Sequence, residues 1–192
     1  MPAILILAAG ASARMRGRDK LLEQVAGVPQ LGRIARAALE TGCRVLVALP
    51  PEAGARVAVL AGLAVTLVTV ADAATGMAAS IRAGVSAAGD AAGLMILPAD
   101  MPDLDAADLG ALLGAFLAAP QLIHRGTSRD IPGHPVIFPR AFFPSLASLT
   151  GDSGARAVLA THPDRVQGVP LPGRHAIIDL DTPEDWAAWR AT

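Results

Sequence analysis

Four apolar runs limit what this chain can fold into. Residues 3–7 (Ala-Ile-Leu-Ile-Leu), 43–49, 64–70 and 92–97 each have strand length, and little but Arg44 and the threonines of the third run interrupts them. Such near-continuous runs are the mark of strands covered on both faces. The intervening stretches have helical spacing. In 29–41, Pro29 suits a first turn, Leu31, Ile34, Ala35, Ala38 and Leu39 form one stripe, and Gly42 closes it. Residues 52–61 end in the same way at Gly62. Strands alternating with helices pair in parallel through right-handed crossovers, which predicts a layered α/β fold. Hydrophobic residues make up 53% of the 192 and charged ones 17%, enough to fill one core, so the expectation is a single domain over 1–192.

The first run passes directly into Ala8-Ala9-Gly10-Ala11-Ser12-Ala13-Arg14-Met15 and on through Arg16-Gly17-Arg18-Asp19 to Lys20. Small residues let a backbone approach a ligand, and successive N–H groups in such a loop make a concave anion site. Arg14 adds a planar fork and Lys20 a point charge, both suited to phosphates. The stretch therefore reads as a triphosphate loop. It is not the P-loop pattern, because Leu21 follows Lys20, and Gly10 has no glycine two residues on, so the dinucleotide fingerprint of a dehydrogenase is missing.

The fourth run ends in Pro98-Ala99-Asp100-Met101-Pro102. A carboxylate at the carboxyl edge of a buried parallel strand stands where α/β folds hold ligands, and the flanking prolines are expected to aim it. A hard cation such as Mg²⁺ takes one or two carboxylates plus substrate phosphates and water, so Asp100 is the first candidate metal ligand. Asp105 is the better cap for a helix to residue 118. Residues 121–124 read as a short strand, 125–133 as a long polar loop, and 134–139 as a short edge-type strand because of its prolines. Residues 140–149 read as a helix. Asp152 or Ser153 then caps the next helix at an anion-friendly end towards which Arg156 can project. After a strand at 165–171, residues 176–181 read as another, with Asp179 and Asp181 on one face and Ile178 and Leu180 towards the core. Thr182-Pro183-Glu184-Asp185 opens a last helix, whose Trp186 and Trp189 share a face expected to pack on the sheet.

Leu-Ala-Ala-Gly-x-Ser-x-Arg-Met followed by Lys20-Leu21-Leu22 resembles the signature of nucleotidyltransferases of the molybdenum-cofactor and sugar-nucleotide type. Pro-Gly-His-Pro-x-x-Phe at 132–138 and Gly-Asp-x-Gly-Ala-Arg at 151–156 resemble the molybdenum cofactor cytidylyltransferase branch in particular. The resemblance runs from Leu7 to Asp185. It implies a three-layer α/β/α fold, Rossmann-like and GT-A-like, with a mostly parallel central sheet. It also implies transfer of CMP from CTP to the phosphate of molybdenum-bearing molybdopterin, with Mg²⁺ as cofactor and pyrophosphate as product. Leu7, Ala8, Ala9, Gly10, Ser12, Arg14 and Lys20 would hold the nucleotide, with Gly76 and Ser80 near its base. His134, Asp152, Gly154 and Arg156, in an acceptor half spanning roughly 120–175, would face the pterin phosphate. Arg14, Lys20 and Asp100 would carry the chemistry. The second metal carboxylate would be Asp179, with Asp181 as the alternative or an orienting partner. The Arg-rich 16–18 run departs from the usual pattern and leaves open which cation meets which phosphate. A GTP-dependent guanylyltransferase is the near rival, and a non-catalytic cofactor-insertion chaperone the rival of another class. A target molybdoenzyme or an insertion chaperone is the expected protein partner.

A net charge of −1 and 3% aromatics, with no Tyr, argue against a nucleic-acid binder. One cysteine, Cys43, excludes an internal disulfide and a thiolate cluster. No run approaches the ~20 apolar residues of a membrane span, and no basic residue precedes the first run as in a secretory leader. These features lead to the expectation of a soluble, cytoplasmic protein.

Overall fold

The computed structural model describes residues 1–152 and 154–191. Its strands and α-helices in chain order are β1 (Ala3–Leu7), β2 (Gln24–Val25), β3 (Val28–Pro29), α1 (Gln30–Glu40), β4 (Arg44–Leu49), α2 (Gly54–Leu60), β5 (Thr66–Thr69), α3 (Met77–Ala88), β6 (Gly93–Pro98), α4 (Ala106–Ala118), β7 (Ile123–Ser128), β8 (Ile131–Pro139), α5 (Phe143–Ala147), α6 (Arg156–Thr161), β9 (Val166–Pro170) and α7 (Pro183–Arg190). Seven strands form one sheet in the order β5-β4-β1-β6-β8-β7-β9. β1 runs parallel to β4 and β6, and β4 to β5, as the apolar runs require, while β8 is antiparallel to both its neighbours.

Alternation along the strands divides the core. Ile4, Ile6, Val45, Val47, Met95 and Leu97 face α1, α2 and α4. Ala3, Leu5, Leu46, Ala48, Leu94 and Ile96 face α3, α5 and α6. This is the three-layer α/β/α arrangement with a mostly parallel sheet. Burial of large aliphatic side chains at about 1.5–3 kcal/mol each holds the layers together. α4 begins as expected, with Asp105 and Asp108 forming a reciprocal capping box. No helix among the described residues is long and apolar enough to cross a membrane.

Three expectations fail. Residues 125–133 are no loop but the tip of a hairpin: Ser128 pairs with Ile131, and Arg129 and Asp130 turn the chain at φ 50° and 65°. Both central residues in the left-handed region give the turn whose twist matches paired strands. β8 is accordingly nine residues long and lies between β6 and β7 rather than at an edge. A register shift between Arg125 and Thr127 loosens the ladder where its prolines stand. Residues 176–181 are no strand either. Their N–H groups go to Ser128 Oγ from Ala176, to Arg174 O from Ile177 and Ile178, and to Asp100 O from Leu180, so the segment is a strap across the strand ends. Its inside-outside alternation survives: Leu180 is buried while Asp179 and Asp181 are not. Finally, the tryptophans do not pack on the sheet. Fully buried Trp186 joins Met15, Val25 and Leu180 in a separate small cluster, with Trp189 against it.

Candidate active site

The carboxyl ends of β1 and β6 lie side by side, Leu7 opposite Pro98, so the small-residue loop and Asp100 leave the sheet together. Asp100 is aimed by a residue that the sequence did not single out. Gln30, fully buried at the start of α1, donates from Nε2 to Ala99 O at 2.9 Å and to Met101 O at 3.2 Å. Arg33 adds a bond to Met101 O at 3.3 Å. The strap then brings Asp181 to the same place through Leu180 N–H on Asp100 O, 3.2 Å.

Lys20 points into this convergence. Its ammonium bonds to Asp100 Oδ2 and to Asp181 Oδ1 at 2.7 Å, and Arg14 reaches Asp181 Oδ2 at 2.6 Å. The loop backbone is shaped to allow it: Ser12 takes a left-handed φ of 51°, and its Oγ accepts from Lys20 N–H at 3.3 Å and donates to Asp19 Oδ1 at 3.1 Å. Burial alone would push the Lys20 pKa down, but Asp100 and Asp181 outweigh it and the net shift is upward. Asp179 stands nearby and forms no ion pair among the described residues. Burial, then the charges of Asp100 and Asp181, lift its carboxyl above the usual range, opposed in part by Lys20.

Next to these acids opens a cavity of about 420 Å³ between β6, β8, the start of α3, Asp152 and residues 154–156. Its walls include Ile81, Ile96 and Phe138, and its polar groups are Asp100, Asp179, His134, Asp152, Arg125 and Arg156. Arg125 donates to Gly133 O at 2.9 Å and faces Arg156, so burial first and that second guanidinium next depress its pKa. Burial, and after it Arg125, pushes the His134 imidazole down to about 4, with Asp100 pulling the other way. His134 is therefore neutral at neutral pH. Its Nδ1 is buried without a partner among the described residues.

The expected residues fall into three groups. Leu7, Ala8, Ala9, Gly10, Ser12, Arg14, Lys20, Asp100 and Asp181 gather around the ends of β1 and β6. His134, Asp152, Gly154, Arg156 and Asp179 line the cavity. Gly76 and Ser80 sit differently. Gly76, at φ 117°, lets Gly151 and Asp152 close over it, since a Cβ there would lie 2.4 Å from Asp152 Oδ1. Ser80 is 5% exposed within α3. Asp152 does not cap the helix that follows it, which starts at Arg156 with no side-chain cap. It accepts instead from Met77 N–H at 3.3 Å, capping α3 from across the cavity mouth. The alternative cap, Ser153, lies outside the described residues.

Gln30, Arg56 and Arg125 are the site's neighbours that the sequence did not reveal. A glutamine at the head of an apolar stripe and an arginine in an otherwise apolar helix were the only signals. Among the described residues, no group of three or more His, Cys, Asp or Glu side chains converges as a metal site.

The small-residue loop, the Asp100 and Asp181 pair and the neighbouring cavity thus share the carboxyl edge of the sheet. The chain belongs to the MobA-like NTP transferase domain family, whose model matches residues 4–166. It is similar to Rv0371c from Mycobacterium tuberculosis H37Rv, with 26% identity, a TM-score of 0.83 and 100% of each chain covered. A second structure of that protein is a complex with manganese, matching at TM-score 0.80 and 26% identity over 97% of this chain and 96% of that one. A nucleotidyl transferase from Methanothermobacter thermautotroptrophicus shares the fold at TM-score 0.82 and 20% identity, over 100% of this chain and 96% of that one. No curated protein matches the chain.

Proposed function

We propose that the protein moves CMP from CTP to the phosphate of molybdenum-bearing molybdopterin and releases pyrophosphate. The observation that carries the reading is the meeting of Lys20 and Asp181 on Asp100, which itself lines a cavity holding two arginines. One side offers cations and loop amides for a triphosphate, the other a pocket for an anionic acceptor with an apolar body.

In this reading the N-terminal part, with Leu7 to Ser12, Arg14 and Lys20, holds the triphosphate, and the half around 120–175 holds the acceptor. Arg125 and Arg156 draw the acceptor phosphate into the cavity, and neutral His134 adds a hydrogen-bonding group without charge. An oxygen of that phosphate, already ionised near pH 7, attacks the α-phosphorus. A new P–O bond forms as the bond to the bridging oxygen of pyrophosphate breaks in line, and the electron pair leaves with pyrophosphate. No general base is required, so the protein contributes alignment and charge compensation. Arg14 and Lys20 neutralise the departing pyrophosphate.

The residues fit a divalent ion: Asp100 and Asp181 already share one cation, the Lys20 ammonium, and Asp179 is the third carboxylate at hand. Asp100 with Asp181 would hold Mg²⁺ or Mn²⁺. The ion, when bound, supplies Lewis-acid polarisation of the α-phosphate. With such an ion in place, the Lys20 ammonium would be free to meet the phosphates.

The test is pyrophosphate release from CTP and from GTP, each with molybdopterin and Mg²⁺. Preference for CTP supports the reading, and equal rates defeat the cytidylyl assignment. Binding of nucleotide and pterin with no release makes the protein a carrier that hands the cofactor to a molybdoenzyme.

A further inference from the structure

Arg56 is the least expected charge in the fold. It projects from α2, is 6% exposed, and meets the β1 loop from behind. Its Nε donates to Asp19 Oδ2 at 2.7 Å and one terminal nitrogen to Asp19 Oδ1 at 3.0 Å. The same nitrogen donates to Gly10 O at 2.8 Å and lies 3.4 Å from Ser12 Oγ, and the other terminal nitrogen donates to Ala8 O at 2.6 Å. One guanidinium thus grips two alternate carbonyls of the loop together with the acid that ends it.

Peptide geometry gives that grip a direction. In a trans peptide the C=O and the following N–H point to opposite sides, and the only cis bond among the described residues is His134–Pro135. Drawing the Ala8 and Gly10 carbonyls towards Arg56 therefore turns the N–H groups of Ala9 and Ala11 away from it. Asp19 carries the constraint further. It accepts from Leu21 N–H at 3.0 Å and from Ser12 Oγ at 3.1 Å, while Ser12 Oγ accepts from Lys20 N–H at 3.3 Å. Where Lys20 leaves the backbone is set through this chain of bonds.

We infer that Arg56 is a positioning residue for the triphosphate: it holds the 8–12 loop with its amides outward and Lys20 in register, and so discriminates a triphosphate from a monophosphate. The inference rests on the triphosphate-loop reading of the preceding section. A lysine cannot replace it, because a point charge cannot span two carbonyls and a carboxylate at once.

The experiment is calorimetric titration of wild type, Arg56→Lys and Arg56→Gln with CTP and with CMP, beside thermal melts of each. Arg56→Lys is expected to weaken CTP binding about tenfold, about the worth of one charge-assisted hydrogen bond, while CMP affinity moves about twofold at most. The KM for CTP in pyrophosphate release should rise by the larger factor. Equal losses for CTP and CMP, or a lowered melting temperature with unchanged CTP affinity, would make Arg56 a residue of the fold and overturn the inference. So would failure of both variants to fold. If wild type binds neither CTP nor GTP, the triphosphate-loop reading falls and takes this inference with it. Tight wild-type binding with an unaffected Arg56→Lys sinks this inference alone.

Discussion

Removing the Lys20 ammonium gives the sharpest test of how the site is assembled. Its side chain is 15% exposed, and the carboxylates it joins, Asp100 and Asp181, are 18% and 20% exposed. Lys20→Met takes away the cation that Asp100 and Asp181 share and leaves Asp181 to the exposed Arg14 alone among the described residues. Breaking a buried pair by deleting one partner costs about 3–5 kcal/mol, and with roughly a fifth of each carboxylate in solvent the low end applies, about 3 kcal/mol at pH 7.5. For a chain of this length each kcal/mol moves Tm by about 2–4 °C, so the expected fall is roughly 6–12 °C. The sign of the pH response follows. Lys20 holds the raised Asp179 carboxyl down in part, so without it that carboxyl rises further, and the folded variant binds more protons than its unfolded chain and regains stability as pH drops towards 5. Wild type differs: the Lys20 pKa is raised, so its contribution is complete below about 10.4 and disappears only as pH rises through the folded value. A divalent ion should replace the missing charge. Mn²⁺ at a hundredfold its Kd restores about 2.7 kcal/mol to the variant. Thermal melts at pH 5 and 7.5, with and without Mn²⁺, read all of this. A variant melting within about 2 °C of wild type, or one whose loss ignores both pH and Mn²⁺, refutes the reasoning.

Three further outcomes are expected. The His134 ring should titrate near 4 rather than 6.5, so by NMR it stays neutral at pH 6; its contribution to stability is present above 6.5 and lost as pH falls through about 4, and a midpoint near 6.5 would contradict its burial beside Arg125. Burial raises the Asp19 pKa, but hydrogen bonds from Arg56 and Leu21 outweigh it and lower the net value. The stability margin of wild type over Asp19→Asn in urea melts should therefore hold above about pH 4 and shrink as pH falls through the folded value, and a margin unchanged at pH 2.5 would argue against the pair. In Gly133→Ala the new Cβ would sit 1.8 Å from Ala176 O, the acceptor of His134 N–H, so the strap carrying Asp179 and Asp181 must shift. Overpacking of this kind costs about 1–3 kcal/mol, and weakened Mn²⁺ binding with CTP should accompany the lower Tm.

The apolar half of the fold was legible because burial on both faces leaves an unmistakable record. Residues 3–7, 43–49 and 92–97 became β1, β4 and β6 within a residue. Residues 125–133 were not, because a hairpin tip with Arg129 and Asp130 at its turn has the composition of a loop. Period-two alternation at 176–181 was real, but a strap with one side on the core shows the same alternation as a strand, and only its hydrogen bonds tell them apart. The site divides similarly. Lys20 and Asp100 stand out locally at the ends of strands. Their meeting with Asp181, 161 residues along the chain from Lys20, is a product of the fold. Gln30 and Arg56 act through backbone carbonyls, a use of side chains that leaves no spacing to read.

The central claim, a divalent ion between Asp100 and Asp181 facing the β1 loop, is tested most directly by anomalous diffraction from crystals soaked with Mn²⁺ and CTP. The account predicts one dominant peak about 2.1 Å from an oxygen of each carboxylate, with Lys20 swung onto the phosphates. A peak remote from Asp100, or a triphosphate bound away from residues 8–12, would contradict it.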